Sequence, residues 1–181
     1  FCEHNPVFTM GKHADEANML MSEDFLREHG YDFFSVERGG DVTYHGPGQI
    51  TGYPILDLEQ FGLGLKAYID LLEQSVIELL RFFRIDSTLK AGATGVWLDV
   101  GDPVKERKIC AIGVKSSRYV TMHGFALNVN TDLSYFGYIV PCGIADKAVT
   151  SLKAELGREV PMEEVKQRIT SHFLEVFAAT L

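Results

Sequence analysis

Apolar positions recur at helical spacing most clearly between residues 65 and 83. There Leu65, Tyr68, Ile69, Leu72, Val76, Leu79, Leu80 and Phe83 define one face of a helix about five turns long. A second helical stripe follows Pro161, with Met162, Val165, Ile169, Phe173 and Val176 on one side and the proline suited to the first turn. A short helix is predicted over residues 23–29, with Ser22 as N-cap, acids in the first turn and Gly30 just past the end. Elsewhere the period drops towards two. Residues 5–10 read as the end of a strand closed by a turn at Gly11, and the aromatic-rich stretch 31–37 as another strand. Residues 94–100, 108–116 and 123–129 predict three more strands, separated by Gly-Asp-Pro at 101–103 and a polar stretch at 116–118. Successive strands with segregated helices predict an α+β fold with a mixed or antiparallel sheet.

No repeat, linker or low-complexity segment interrupts the 181 residues, so a single domain over 1–181 is expected. The 46% apolar and 23% charged fractions exclude a disordered or fibrous chain. A net charge of −8 removes any global basic field for nucleic acid or a membrane surface, and no apolar run is long enough for a transmembrane helix. Cys2, Cys110 and Cys142 are odd in number and far apart, which argues against a disulfide framework or zinc ribbon and for a reduced, cytoplasmic setting. No signal peptide is read at the start. The chain opens on Phe1 rather than Met, so an N-terminal segment before it is expected.

Three stretches carry candidate chemistry. Residues 38–49, RGGDVTYHGPGQ, hold four glycines in twelve positions, more than a simple hairpin needs. Glycine permits close backbone approach to a ligand, so this is either a tight inter-strand connection or a ligand-cradling loop with Arg38 and His45 at its ends. It is neither a Walker loop nor GxGxxG, so no nucleotide follows from it. In KICAIGV, strand alternation would place Lys108, Cys110, Ile112 and Val114 on one side, making Lys108 either a snorkelling edge residue or a partly buried amine usable as a base. Cys142 sits on a Pro-Gly corner in IVPCGI, where a thiol is more readily presented than inside an apolar run; Cys110 and Trp97 read as strand packing. Residue types allow a Cys142–His–Asn128 hydrolase arrangement, but the local signatures of thiol proteases are absent, as are zinc motifs. No metal or cofactor is expected.

Taken together, RGGDVTYHGPGQITGYPILDL (38–58), GATGVW (92–97), KICAIGV (108–114), HGFALNVNTDL (123–133) and PCGI followed by TSL (141–152) resemble the lipoyl(octanoyl) transferase family over nearly the whole chain. One departure is Asp41, where the family commonly has Gln. The resemblance implies a fold like the biotin/lipoate ligase catalytic domains, a mixed sheet flanked by helices. It implies transfer of an octanoyl group from octanoyl-acyl carrier protein to a specific lysine of lipoyl domains, those of 2-oxoacid dehydrogenases and the glycine cleavage H protein. Cys142 would be the acyl-thioester nucleophile and Lys108 the residue that activates it. Arg38, Gly39, Gly40, Asp41, Val42, Thr43, Tyr44 and His45, with Ala111, Ile112, Gly113, Gly124, Phe125 and Ala126, would line the substrate site. Such acidic partners would be met through local basic residues such as Lys105, Arg107 or Lys115. The rival readings are an amidotransferase moving octanoyl or lipoyl groups between lipoyl domains, an ATP-dependent lipoate ligase, and a non-catalytic acyl-binding module.

Overall fold

A computed structural model describes residues 1–140 and 148–178; the expected nucleophile Cys142 lies outside the described residues. Two sheets form the frame. The smaller contains β1 (Val7–Met10), β2 (Asp32–Ser35) and β3 (Val42–His45) in the order β2-β1-β3. β1 runs parallel to β2 and antiparallel to β3. The larger contains β4 (Gln49–Gly52), β5 (Thr88–Lys90), β6 (Ala93–Leu98), β7 (Arg107–Ser117) and β8 (Val120–Asn128) in the order β4-β8-β7-β6-β5. The short β9 (Ala148–Val149) adds to β7 in parallel, so both sheets are mixed and the α+β expectation holds.

Helices α2 (Leu65–Phe82) and α4 (Met162–Ala178) cover one face of the larger sheet. The core between them contains Leu72, Val76, Leu79 and Leu80 of α2, Val165, Ile169 and Phe177 of α4, and Cys110, Ile112 and Leu127 of the strands. The apolar face of α4 thus ends on Phe177, where the sequence spacing predicts Val176. The short helices are α1 (Glu23–Glu28) and α3 (Leu152–Leu156). In α1, Ser22 caps as expected, its Oγ accepting from the Phe25 N–H at 3.1 Å, and Gly30 follows at φ +73°. The smaller sheet buries Phe8, Val42 and Tyr44 beneath α1 and the 3₁₀ turn 133–138, in a second core with Leu26, Phe136 and Ile139.

The glycine-rich stretch 38–52 becomes two strands joined by a turn, and the strands belong to different sheets. Its tip passes the chain from the smaller sheet to the larger one, so it is a tight connection, and residues of the stretch also form part of a cavity wall. Among the described residues, no helix is long and apolar enough to cross a membrane.

Candidate active site

The two sheets do not close on each other; between them lies a cavity of about 950 Å3, at the upper end of the range for small-molecule sites. Register explains its walls. Val7, Asp32 and His45 share one cross-strand row, and Thr9, Phe34 and Thr43 the next, all on the face of the smaller sheet away from its own core. Opposite them the larger sheet presents the paired rows Ala111↔Ala126 and Gly113↔Gly124. These side chains are the smallest available, and the void is the space that larger ones would fill. The two glycines are also forced by close approach. A Cβ on Gly113 would lie 2.6 Å from the Gly39 carbonyl oxygen, and one on Gly124 would collide with the Gly52 carbonyl.

Residues 38–40 cross this floor. The Gly39 N–H donates to the Val114 carbonyl at 3.1 Å. Arg38 is buried and donates from Nη2 to the Thr9 carbonyl at 2.7 Å and to Thr9 Oγ1 at 2.9 Å, and from Nη1 to the Gly39 carbonyl at 3.1 Å. Its guanidinium therefore fastens the loop to β1. Asp41 accepts from the backbone of Val42 (2.7 Å) and Asp15 (3.3 Å) and from Asn18 Nδ2 (2.5 Å), so its carboxylate organises the loop start.

Lys108 lines the same cavity, and how it gets there corrects the alternation argument. Trp97 pairs with Lys108 and Val96 with Cys110, leaving Ile109 as an extra residue on β7. This bulge sends both Ile109 and Cys110 into the helix-covered core. Lys108 joins Trp97 on the cavity side instead of sharing a face with Cys110. It is a buried amine rather than a snorkelling one, 8% exposed. Nζ donates to the Thr94 carbonyl at 3.2 Å and lies 4.6 Å from the Trp97 ring centroid, a cation–π geometry. Cys110 is fully buried, and burial pushes its thiol well above the ordinary range, away from thiolate character.

His45 has a fixed partner. Its Nδ1 lies 2.7 Å from Gln49 Oε1, while Gln49 Nε2 donates to the Tyr44 carbonyl (3.1 Å) and to Asn128 Oδ1 (2.9 Å). Asn128 Nδ2 donates in turn to the Thr150 carbonyl at 3.0 Å, and the Thr150 N–H to the Lys108 carbonyl at 2.9 Å. Burial, with Arg38 and His4 nearby, lowers the His45 imidazole to a pKa of about 4 against the Gln49 hydrogen bond, so it is neutral at pH 7. His123, also on the cavity, is lowered by burial and then by Arg38 and Lys115.

Of the residues expected at the site, Arg38, Gly39, Gly40, Asp41, Val42, Thr43 and His45 line the cavity with Lys108, Ala111, Ile112, Gly113, Gly124, Phe125 and Ala126. Tyr44 is placed elsewhere: alternation along β3 turns it into the second core, stacked on Tyr135 with ring centroids 4.6 Å apart. The expected docking cations are each occupied. Arg107 donates to Glu155 (2.7 and 2.6 Å) and to Asp99, Lys115 pairs with Glu37, and Lys105 lies 3.8 Å from Asp102. Sequence reasoning did not mark Gln49, Thr94 or Thr150. Gln49, a polar residue closing a glycine turn before an apolar strand, was the one that carried a signal.

The chain matches the model of the lipoyl protein ligase A/B catalytic domain over residues 1–174. It is 59% identical over 179 residues to an octanoyltransferase of Porphyromonas gingivalis, covering 99% of this chain and 36% of that protein. It is 58% identical over 178 residues to an octanoyltransferase of Parabacteroides distasonis, covering 98% of this chain and 80% of that one. Among solved structures it resembles a bipartite lipoate protein ligase of Thermoplasma acidophilum (TM-score 0.74, 18% identity, 97% of this chain and 69% of that). It also resembles the biotin protein ligase of Aquifex aeolicus (TM-score 0.55, 22% identity, 73% of this chain and 54% of that); both likenesses concern the fold. On this sequence match, the chain belongs to the lipoyl protein ligase A/B catalytic-domain family, among its octanoyltransferases.

Proposed function

We propose that the protein transfers an octanoyl group from octanoyl-acyl carrier protein to a lysine of a lipoyl domain, through a thioester on Cys142. The observation that carries this reading is Lys108: a buried amine in the wall of a large, mostly apolar cavity, held by the Thr94 carbonyl and the Trp97 ring. The octanoyltransferase relatives support octanoyl as the group moved.

In the first step the Cys142 thiolate attacks the donor thioester; the carbon–sulfur bond to the carrier breaks, and the carrier leaves as a thiol with the proton given up by the Lys108 ammonium, which becomes a neutral amine. In the second, the incoming lysine attacks as a free amine, the carbon–sulfur bond to Cys142 breaks, and Cys142 departs as thiolate while the nitrogen gives its remaining extra proton to water as the amide forms. Thioester to thioester is near balance and thioester to amide is downhill, so the sequence needs no ATP. The ammonium of the acceptor, with an ordinary pKa near 10.4, must lose a proton first. As a cation Lys108 favours the thiolate, and as a neutral amine it takes that proton. The lipoyl domains of 2-oxoacid dehydrogenases and the glycine cleavage H protein are the acceptors proposed.

The test is intact-protein mass after mixing with octanoyl-acyl carrier protein in the absence of ATP, for wild type and Cys142→Ala. A single octanoyl adduct on wild type alone, discharged by a lipoyl domain, is the expected result. Activity appearing only with ATP and free octanoate overturns the reading in favour of a ligase.

A further inference from the structure

The polar chain behind His45 has no part in the scheme above, yet it is buried and spans three strands of the larger sheet's end. Gln49 is 2% and Asn128 5% exposed, on paired positions of β4 and β8. Each amide has its orientation dictated by its neighbours. Gln49 must turn its NH₂ to the Tyr44 carbonyl and Asn128 Oδ1, because Asn128 uses its own NH₂ on the Thr150 carbonyl. Gln49 therefore meets the imidazole with its carbonyl oxygen, and His45 Nδ1 must carry the hydrogen that this oxygen accepts. A neutral imidazole has one hydrogen only, so Nε2 is left as a bare acceptor on a residue that lines the cavity.

We propose that this acceptor receives an N–H of the incoming lysine amine, and that Gln49 and Asn128 are positioning residues that fix the tautomer making it possible. The inference rests on the transferase reading, since it needs an amine acceptor substrate. The chemistry suits the step. An acceptor that binds a proton weakly holds the amine by a hydrogen bond without competing for the proton that Lys108 must remove. An imidazolium there would instead repel the ammonium. The charged or titratable groups facing His45 are His4, with ring centroids 5.8 Å apart, and Arg38; Asp32, Asp41, His123 and Lys108 lie around the same cavity.

The test compares His45→Gln with His45→Asn. A glutamine oxygen reaches roughly the place of Nε2 but loses the link to Gln49; an asparagine amide keeps the link at the Nδ1 position and offers nothing at Nε2. The readout is the rate at which a preformed octanoyl adduct is discharged by a lipoyl domain. Discharge is expected to slow by about tenfold or more in His45→Asn and by about threefold or less in His45→Gln. Gln49→Met, which releases the tautomer, is expected to slow discharge and move its acid limb. Equal loss in the two His45 variants, better retention in the Asn variant, or no loss in either overturns the proposal. ¹⁵N spectra of the wild-type imidazole give a second check: Nε2 should be unprotonated between pH 6 and 8, and a protonated Nε2 overturns the proposal even if a variant fails to fold. Absence of any adduct on wild type would instead strike the transferase reading itself.

Discussion

Gly113→Ala tests whether the floor of the cavity pins the loop above it. The added methyl would stand 2.6 Å from the Gly39 carbonyl oxygen and 3.4 Å from Arg38 Cδ. The first distance is too short to survive, and the obstacle is backbone, so residues 38–40 must lift. Forcing an extra carbon into a packed site costs about 1–3 kcal/mol. Lifting the loop also loosens the Gly39 N–H bond to Val114, worth about 0.5–1.5 kcal/mol. The sum is about 2–4 kcal/mol, which for a chain of this size lowers the melting temperature by roughly 5–15 °C. Gly137→Ala is the matched control, because Gly137 is exposed, has no positive φ and has no neighbour within 4 Å of its would-be Cβ. It should leave stability unchanged or raise it by up to about 1 kcal/mol. Urea unfolding of both variants, with octanoyl transfer measured alongside, checks the argument. Gly113→Ala unfolding like wild type with full activity would show that residues 38–40 are not held by this contact.

Two further outcomes follow from the same geometry. Lys108→Arg keeps a positive charge but cannot give up a proton near neutral pH; the Cys142 adduct should form while its discharge to a lipoyl domain falls by about 10²-fold or more, followed by mass spectrometry, and wild-type discharge would remove Lys108 from the second step. His45 has its folded pKa lowered to about 4 from 6.5, so the unfolded chain binds that proton first. Stability should therefore be complete above pH 6.5 and decline as pH falls towards 4. His45→Gln should flatten much of the limb between 6.5 and 4.5, above the range where Glu155, held low by Arg107, begins to contribute.

Sequence periodicity located α2 nearly to the residue because Leu72, Val76, Leu79 and Leu80 must all meet one sheet face, and helix spacing is the only way one segment supplies them. It also located the strands that contain Trp97, Lys108 and Phe125. It could not see β3 and β4, since four glycines suppress any alternation, nor β5, which has three residues. The parallel pairing of β1 with β2 is a long-range choice that neither strand's composition encodes. At the site, Arg38, His45 and Lys108 stood out by residue type. Alternation through Ile109 puts Lys108 on the wrong face, because a bulge is a property of pairing with β6, not of β7 alone. Tyr44 shares a motif with residues that line the cavity, but the pleat turns it the opposite way. Gln49 and Asn128 matter through each other, and partnership across β4 and β8 has no signature in either segment.

The extra residue on β7 also bears on how the chain finds its pairing. Drawn straight, this strand would drive the ammonium of Lys108 under α2 and α4 among Val76, Leu79 and Cys110, where burying a charge is costly. A misaligned β6–β7 hairpin is thus penalised by the same amine to which the proposed scheme gives the proton transfer, much as inward-pointing charges guard strand edges. The lysine acts as a gauge of correct assembly, and in the proposed scheme it is also the base. Replacing it with methionine would remove that gauge, and a wrongly paired sheet would then lose that penalty during folding.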